Sequence, residues 1–367
     1  MEIGKLFNGV FNHKTILVTG DTGFKGSWLA LWLEKLGARV YGVSLEPNTN
    51  PNHFDITERK YKTHIQDIND RGAIASLISE IKPDLIFHLA AQPLVRLSYD
   101  DPYNTYLTNV IGTVNVLDAS RGCSNLKGVV VVTSDKCYEN NEWLWGYREN
   151  EPMGGKDPYS SSKGCAELIT AAYRHSYFPN NKFGETHNTL IASVRAGNVI
   201  GGGDWAVDRI VPDMVKAANQ RETLYLRFPN ATRPWQHVLE PLSGYLNIGQ
   251  KLLEGDSKAA EAWNFGPSAE SNLTVRELVE ESTKLWIDIN YEIENKSHVQ
   301  EANFLMLDSS KANKLLNWKP VWDFKETIKQ TIGWYKTYYT LNEVISESQL
   351  EQYIKDAINK KTGWATQ

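Results

Sequence analysis

The 367-residue sequence predicts an α/β fold, a doubly wound parallel sheet with a smaller, mostly C-terminal α/β lobe. Three observations carry this. Apolar, β-rich runs alternate with helix-length segments up to about Asn198. Most of those runs (ILV, DLIFHLA, VVVV) are apolar throughout, as strands covered on both faces are. The first of them leads straight into a glycine triplet that opens a helix.

In order, the strand candidates are Thr15–Thr19, Arg39–Leu45, Thr63–Asp67, Leu85–Ala90, Val129–Ser134 and Leu190–Ala196. Between them Gly26–Leu36, Arg71–Ile81, Pro102–Ser120 and Ser160–Tyr177 are long enough for crossover helices. Beyond Asn198 come Gly-, Trp- and Pro-rich loops, then helical segments near Asp213–Asn219 and Val275–Leu285, with Ala262–Gly266 returning to the sheet. The expected division is a dinucleotide-binding domain over 1–197, rejoined near 235–266. A substrate lobe over 198–234 and 267–330 and a helical tail over 331–367 complete it. The tail segment EVISESQLEQYIKDAINKK reads as a charged amphipathic helix without a functional signal.

Composition narrows the function. Lys plus Arg number 39 against 44 Asp plus Glu, a net charge of −5, and no basic run could track a phosphate backbone, so no nucleic-acid partner is expected. The 3 cysteines (Cys123, Cys137, Cys165) are too scattered for a disulfide framework or a CxxC metal site. No metal is expected. The longest apolar run, Val129–Val132, is far too short to span a bilayer, and MEIGKLFNGVFNHK lacks a signal peptide's apolar region, so a cytoplasmic protein is expected.

Residues 15–26 read TILVTGDTGFKG: a strand, then Gly20, Gly23 and Gly26, then a helix. Glycines there permit a tight turn and close approach of a pyrophosphate to a helix N-terminus, the Rossmann-type arrangement. Gly20, Thr22, Gly23, Phe24, Lys25 and Gly26 are therefore the expected cofactor contacts. At the end of the second strand, YGVSLEPNTNPN offers Ser44 and Glu46 but no cation for a 2′-phosphate, which favours NAD over NADP.

Tyr159 and Lys163, in DPYSSSKG, stand four apart just inside a helix, so both side chains leave one face. A lysine ammonium beside a phenol is expected to lower the phenol's pKa and make it a usable base.

TGDTGFKG, HLAAQ, NVIGT, VTSDK and YSSSK together resemble the extended short-chain dehydrogenase/reductases, in order and spacing over roughly residues 14–330. Within them, GFKGSWL, HLAAQPLVRLSY, TSDKCYEN and RPWQHVLEPLSGYL are similar to the 4,6-dehydratases that act on CDP-glucose. The resemblance implies a hydro-lyase with bound NAD. C4 is oxidised, water is lost across C5–C6, and C6 is reduced, giving CDP-4-keto-6-deoxyglucose for deoxysugar and surface-polysaccharide synthesis. Tyr159 would be the base for the 4-hydroxyl, Lys163 would hold the nicotinamide ribose, and Ser134 would bond the same hydroxyl. Asp135 would protonate the departing 6-hydroxyl. Related dehydratases commonly carry Glu at the next position; here Lys136 stands there as the expected base for the C5 proton.

The resemblance also implies a diphosphate grip by Asn198, Arg209 and Arg233. Trp205, Trp235 and His237 are placed to flank the nucleotide or to fill the core. Gln92 is expected near the nicotinamide ribose or the sugar, Asp67 and Ala90 against the cofactor, and Asn109 shaping the central helix. His88 is better read as a satisfied core histidine than as a ligand. A homodimer through helices near 102–120 and 160–177, or a tetramer, follows from the same likeness. Alternatives are a nucleotide-sugar 4-epimerase, a dehydratase of another nucleotide-sugar, a non-catalytic NAD-sensing module and a structural oligomer. The Asp135-Lys136 pair argues against the epimerase, and retention of both Tyr159 and Lys163 against the sensor.

Overall fold

The computed structural model describes residues 3–294 and 304–366. Seven strands form one sheet: β1 Thr15–Thr19, β2 Arg39–Ser44, β3 Lys62–Ile65, β4 Leu85–His88, β5 Gly128–Val132, β6 Leu190–Arg195 and β7 Ala262–Asn264. Their spatial order is 3-2-1-4-5-6-7 and all neighbours are parallel. Strand order reverses between β1 and β4, so a crevice opens outside their carboxyl ends.

Both faces of the sheet are covered, which explains the unbroken apolar runs. Ile16, Val18, Phe87, Val130 and Val194 face a large core that includes the Phe24–Lys35 and Leu239–Leu253 helices. Leu17, Ile86, Val129, Val131 and Ile191 face a second core with Ile74, Ile78, Val116 and Leu117. Most predicted strands overrun the observed ones by one or two residues at the carboxyl end, at Ser44, Ile65, His88, Val132, Arg195 and Asn264. Beyond them Leu45, Asp67, Ala90 and Ser134 turn out of the sheet at its carboxyl edge, where the crevice opens.

The expected helix over 102–120 is not uniform. Pro102–Tyr106 and Thr113–Ser120 are α-helical, and Leu107–Gly112 between them is a π-helix. Asn109, inside the widened turn, is bonded to Gln92 and Ser162, and π-turns commonly mark functional positions.

Two small strand pairs join the stretches on either side of β7. Thr232–Pro234 runs antiparallel to Asn272–Thr274, and Thr223–Leu226 parallel to Asn290–Ile293. The helices Phe324–Leu341, Ser346–Asn359 and Gly363–Thr366 pack back on the large core. Trp364 stacks on Phe7 at 5.1 Å and on Tyr353 at 5.9 Å, with its edge against Trp32. No described helix is long and apolar enough to cross a membrane.

Candidate active site

The crevice begins at the glycine loop. Gly20 has φ +77°, and a Cβ there would lie 2.7 Å from the Ala90 nitrogen. A Cβ at Gly26 would lie 2.1 Å from the Gly20 oxygen. Only glycine fits either place. Gly23 caps the Phe24–Lys35 helix without any side-chain bond, so the first N–H groups of the helix face the crevice. Thr22 is buried, with its hydroxyl 2.7 Å from that of Ser44 and donating to the Leu45 carbonyl at 2.9 Å. The position that often selects the cofactor's ribose is therefore a hydroxyl pair, with no cation. Asp21, not singled out by the sequence, is buried beneath the loop and accepts from Thr63 at 2.7 Å; burial pushes it up to about 6.

The other wall comes from the ends of β5 and β6 and from the Pro158–Ser176 helix. Asp157 caps that helix by accepting from the Ser160 N–H at 2.9 Å, and Pro158 fills its first position. Tyr159 and Lys163 then lie buried one turn apart. Across from them Ser134 caps a single 3₁₀ turn, Asp135–Cys137, that follows β5. The Ser134 hydroxyl donates to Asp135 Oδ1 at 2.9 Å and accepts from the Lys136 N–H at 3.2 Å. Asp135 Oδ2 is buried without a hydrogen-bond partner, pressed against Gly197, where a Cβ would lie 1.9 Å from it.

Burial dominates the electrostatics. It raises Asp135 against the opposing pull of Lys136, Ser134, Lys25 and Arg233. It also pushes the Tyr159 phenol up to about 12, with Ser134 and Arg209 pulling down and Asp135 adding to the rise. This corrects the expected lowering of the phenol by Lys163. Lys163 is buried too, is itself pushed down to about 8, and is held up chiefly by Glu167.

Lys25 points from the glycine loop toward this centre: burial, then Arg209 and Lys163, lower it to about 8, while Asp135 raises it. Arg209 sits in the crevice near Tyr159 but spends one nitrogen on Asp204 at 2.7 Å. Arg233 donates to the Thr232 carbonyl and lies near Asp135. Asn198 is in the left-handed region, φ +43°, directly after the glycine that abuts Asp135. Gln92 turns its side chain into its own loop, on Leu94 and Thr105. Asp67 lies just past β3 and accepts from the Asn69 N–H.

His88 is the expected core histidine, buried between Thr19 at 2.7 Å and Thr113 at 3.1 Å and pushed down to about 3. Trp205, Trp235 and His237 fill the core. Trp205 packs on Trp334, Tyr335 and Tyr338, and His237 on Trp28 and Trp322. Large aromatic area favours the interior wherever an indole N–H finds a carbonyl or hydroxyl, as Trp205 does on Tyr339 and Trp235 on Leu273.

The sequence reading missed one cluster. Behind Lys163, Glu167 accepts from Arg195 at 2.9 and 2.8 Å, from Thr133 at 2.5 Å and from Ser193 at 2.7 Å, all buried. Its signal was available: a glutamate one turn beyond Lys163, and a lone arginine ending the apolar strand LIASVR.

The model of the GDP-mannose 4,6 dehydratase family matches residues 17–331. The CDP-glucose 4,6-dehydratase of Salmonella typhimurium is 48% identical over 346 residues, 93% of this chain and 96% of that protein. The chain belongs to the nucleotide-sugar 4,6-dehydratase family. A more distant member, the human GDP-mannose 4,6 dehydratase, is 28% identical over 86% of this chain and 90% of its own length. Among solved structures, an epimerase from Methanothermobacter thermautotrophicus superposes with TM-score 0.79 at 23% identity, covering 93% of this chain and 97% of its own. The dTDP-glucose 4,6-dehydratase of Bacillus anthracis, in complex with NAD, superposes with TM-score 0.71 at 24% identity, covering 88% and 97%. At such identities these two establish the fold alone. The reaction type rests on the family and on the site.

Proposed function

We propose that the protein converts CDP-glucose to CDP-4-keto-6-deoxyglucose, with NAD bound and regenerated. The observation that carries this is the Ser134–Asp135–Lys136 turn facing Tyr159 and Lys163, in a chain so similar over its length to a CDP-glucose 4,6-dehydratase. An epimerase needs the phenol and the lysine but has no use for an acid and a base beside them.

NAD fits the residues present. The close approach at Gly20 and Gly26, the uncapped helix start at Gly23 and the uncharged Thr22–Ser44 pair form a cradle for a pyrophosphate and a free 2′-hydroxyl. Lys163 would hold the nicotinamide ribose. Bound there, NAD supplies a two-electron acceptor that returns its hydride to the same substrate.

The chain's own groups handle the protons. Tyr159, as the phenolate, takes the proton of the sugar 4-hydroxyl; burial, which holds the phenol near 12, opposes that form, and Arg209 favours it. Burial favours the protonated carboxyl of Asp135, the form that donates to a departing 6-hydroxyl. Lys136, half-buried next to it, takes the C5 proton, which the 4-ketone has made acidic. Arg209, Arg233 and Asn198 line the side from which the diphosphate enters.

The same reading includes a homodimer. Tyr103, Ile111 and Leu168, at 74%, 46% and 61% exposure, project from the Pro102–Ser120 and Pro158–Ser176 helices, an apolar face suited to a second copy. The free cysteines suit the cytoplasm.

The deciding experiment is incubation of purified protein with CDP-glucose, with and without added NAD, followed by mass spectrometry. Loss of one water without net build-up of reduced cofactor is expected. An unchanged mass with inverted C4 would mean an epimerase, and turnover of a GDP- or dTDP-sugar alone would move the specificity. Inert behaviour toward all of them would overturn the proposal.

A further inference from the structure

The buried pair of Glu167 and Arg195 ties together the two segments that carry the acid, the bases and the phenol. Glu167 stands on the Tyr159–Lys163 helix, one turn beyond Lys163. Its Oε1 accepts from Thr133, the residue immediately before Ser134, and from Arg195 Nε. Its Oε2 accepts from Ser193 of β6 and from Arg195 Nη2. Arg195 Nη1 donates to the Tyr138 hydroxyl, two residues beyond Lys136, and to the Glu149 carbonyl. Tyr138 in turn donates to Asn264 of β7 at 2.8 Å. Both charged side chains are at most 4% exposed.

A buried ion pair is weak evidence for stability, because desolvation offsets most of its attraction. Its value is geometric: the planar guanidinium and the carboxylate admit few arrangements, and all four carboxylate bonds are made. The turn Ser134–Lys136 is held from both sides, by Thr133 before it and Tyr138 after it. We propose that Glu167, paired with Arg195, is a positioning residue for the dehydration, fixing the acid/base turn against the helix that carries Tyr159 and Lys163.

The inference rests on the 4,6-dehydratase reading above. An electrostatic consequence accompanies the geometric one. Lys163 is faced by Glu167 on its own helix, Cys137 from the 3₁₀ turn, Lys25 from the glycine loop and His88 from β4. Of these, Glu167 favours the ammonium form most strongly. Arg195 also keeps Glu167 below the usual carboxylate range, so the countercharge persists across the working pH.

Two variants test this. Thr133→Val keeps size and the ion pair but cuts the tie to the acid/base turn. Glu167→Gln combined with Arg195→Met removes both charges, so neither is left buried alone. Activity on CDP-glucose with saturating NAD, its pH profile and thermal melting are measured for both and for the wild type. Thr133→Val is expected to lose about tenfold or more in kcat with KM within about twofold, since sub-ångström misplacement of catalytic groups is costly in rate. In the double variant the alkaline limb of the kcat/KM profile is expected to move to lower pH by about one unit or more, as Lys163 loses its countercharge. Wild-type kcat and pH profile in both variants, with only the melting temperature lowered, would overturn the positioning role. Should the double variant fail to fold, the kcat–KM split of Thr133→Val decides alone. An inert wild type would instead sink the dehydratase reading, and this inference with it.

Discussion

Replacing Gly197 by alanine tests the placement of Asp135 without substituting a titratable group. The backbone there is compatible with any residue, since Gly197 is not among the positive-φ glycines. The added methyl would lie 1.9 Å from Asp135 Oδ2, 2.4 Å from Cγ and 3.1 Å from Cβ. Ordinary contact begins at 3.4 Å, so the carboxylate must retreat by 3.4 − 1.9 = 1.5 Å. The rest of that wall is the end of β6, inside the sheet, so the side chain gives way by rotating about χ1 out of the crevice. A misplacement of roughly 1 Å can cost ~100-fold in rate, and a loss of that size or larger is expected in kcat. Overpacking of this kind costs about 1–3 kcal/mol of stability. NAD affinity should hold, because the glycine loop lies across the crevice. Product formation is followed by mass spectrometry, cofactor binding by fluorescence titration, and Asp135→Asn supplies the reference. If the reasoning holds, Gly197→Ala adds little further loss in the Asp135→Asn background. A near-wild-type rate, or an equal loss in both backgrounds, would refute it.

Other outcomes follow from the same geometry. Lys136→Met should bind NAD and CDP-glucose normally yet release no dehydrated sugar; undiminished product by mass spectrometry would remove Lys136 as the base. Lys163→Met should abolish turnover and stabilise the protein at neutral pH. The folded value of about 8 lies below the ordinary 10.5, so the unfolded chain binds more protons between them. The penalty is then full below pH 8, at most ~3 kcal/mol, and is relieved as pH rises toward 10.5. Thermal melts at pH 7 and pH 10 should therefore show a gain that shrinks with pH. Trp364→Ala, which empties the stack on Phe7, Tyr353 and Trp32, should cost about 3–5 kcal/mol in urea unfolding, with the activity of the folded fraction retained.

How far the sequence could be read depended on the range of the interactions involved. The strands were legible because coverage on both faces leaves an unbroken apolar run, and the glycine loop because close backbone approach leaves no alternative residue at Gly20 or Gly26. Strand ends were less legible, since Ala90 and Ser134 are as apolar or small as their neighbours yet leave the ladder. The pairing of Tyr159 with Lys163 followed from helical spacing, but the field at the phenol did not: burial, a property of the whole fold, outweighs the single charge one turn away. Trp205, Trp235 and His237 stayed open between two places for a related reason. Aromatics near a motif read the same whether they line a cleft or fill the core behind it. The Glu167–Arg195 pair stayed hidden because its two members lie on different elements, 28 positions apart.

The stack of Phe7 against Trp364 has a bearing on how the molecule is made. It joins residues separated by almost the entire described chain, and the helix carrying Trp28 and Trp32 is translated long before its cover. Until Trp364 has cleared the ribosome, that indole-rich face stays uncovered, an exposed apolar patch of the kind chaperones bind. Closing so long a loop is entropically slow, and the Gly363–Thr366 helix therefore acts as a latch on the Phe24–Lys35 helix. Nascent chains arrested with Trp364 still inside the exit tunnel should accordingly be more sensitive to protease at the glycine loop than chains arrested on an added linker that carries it outside.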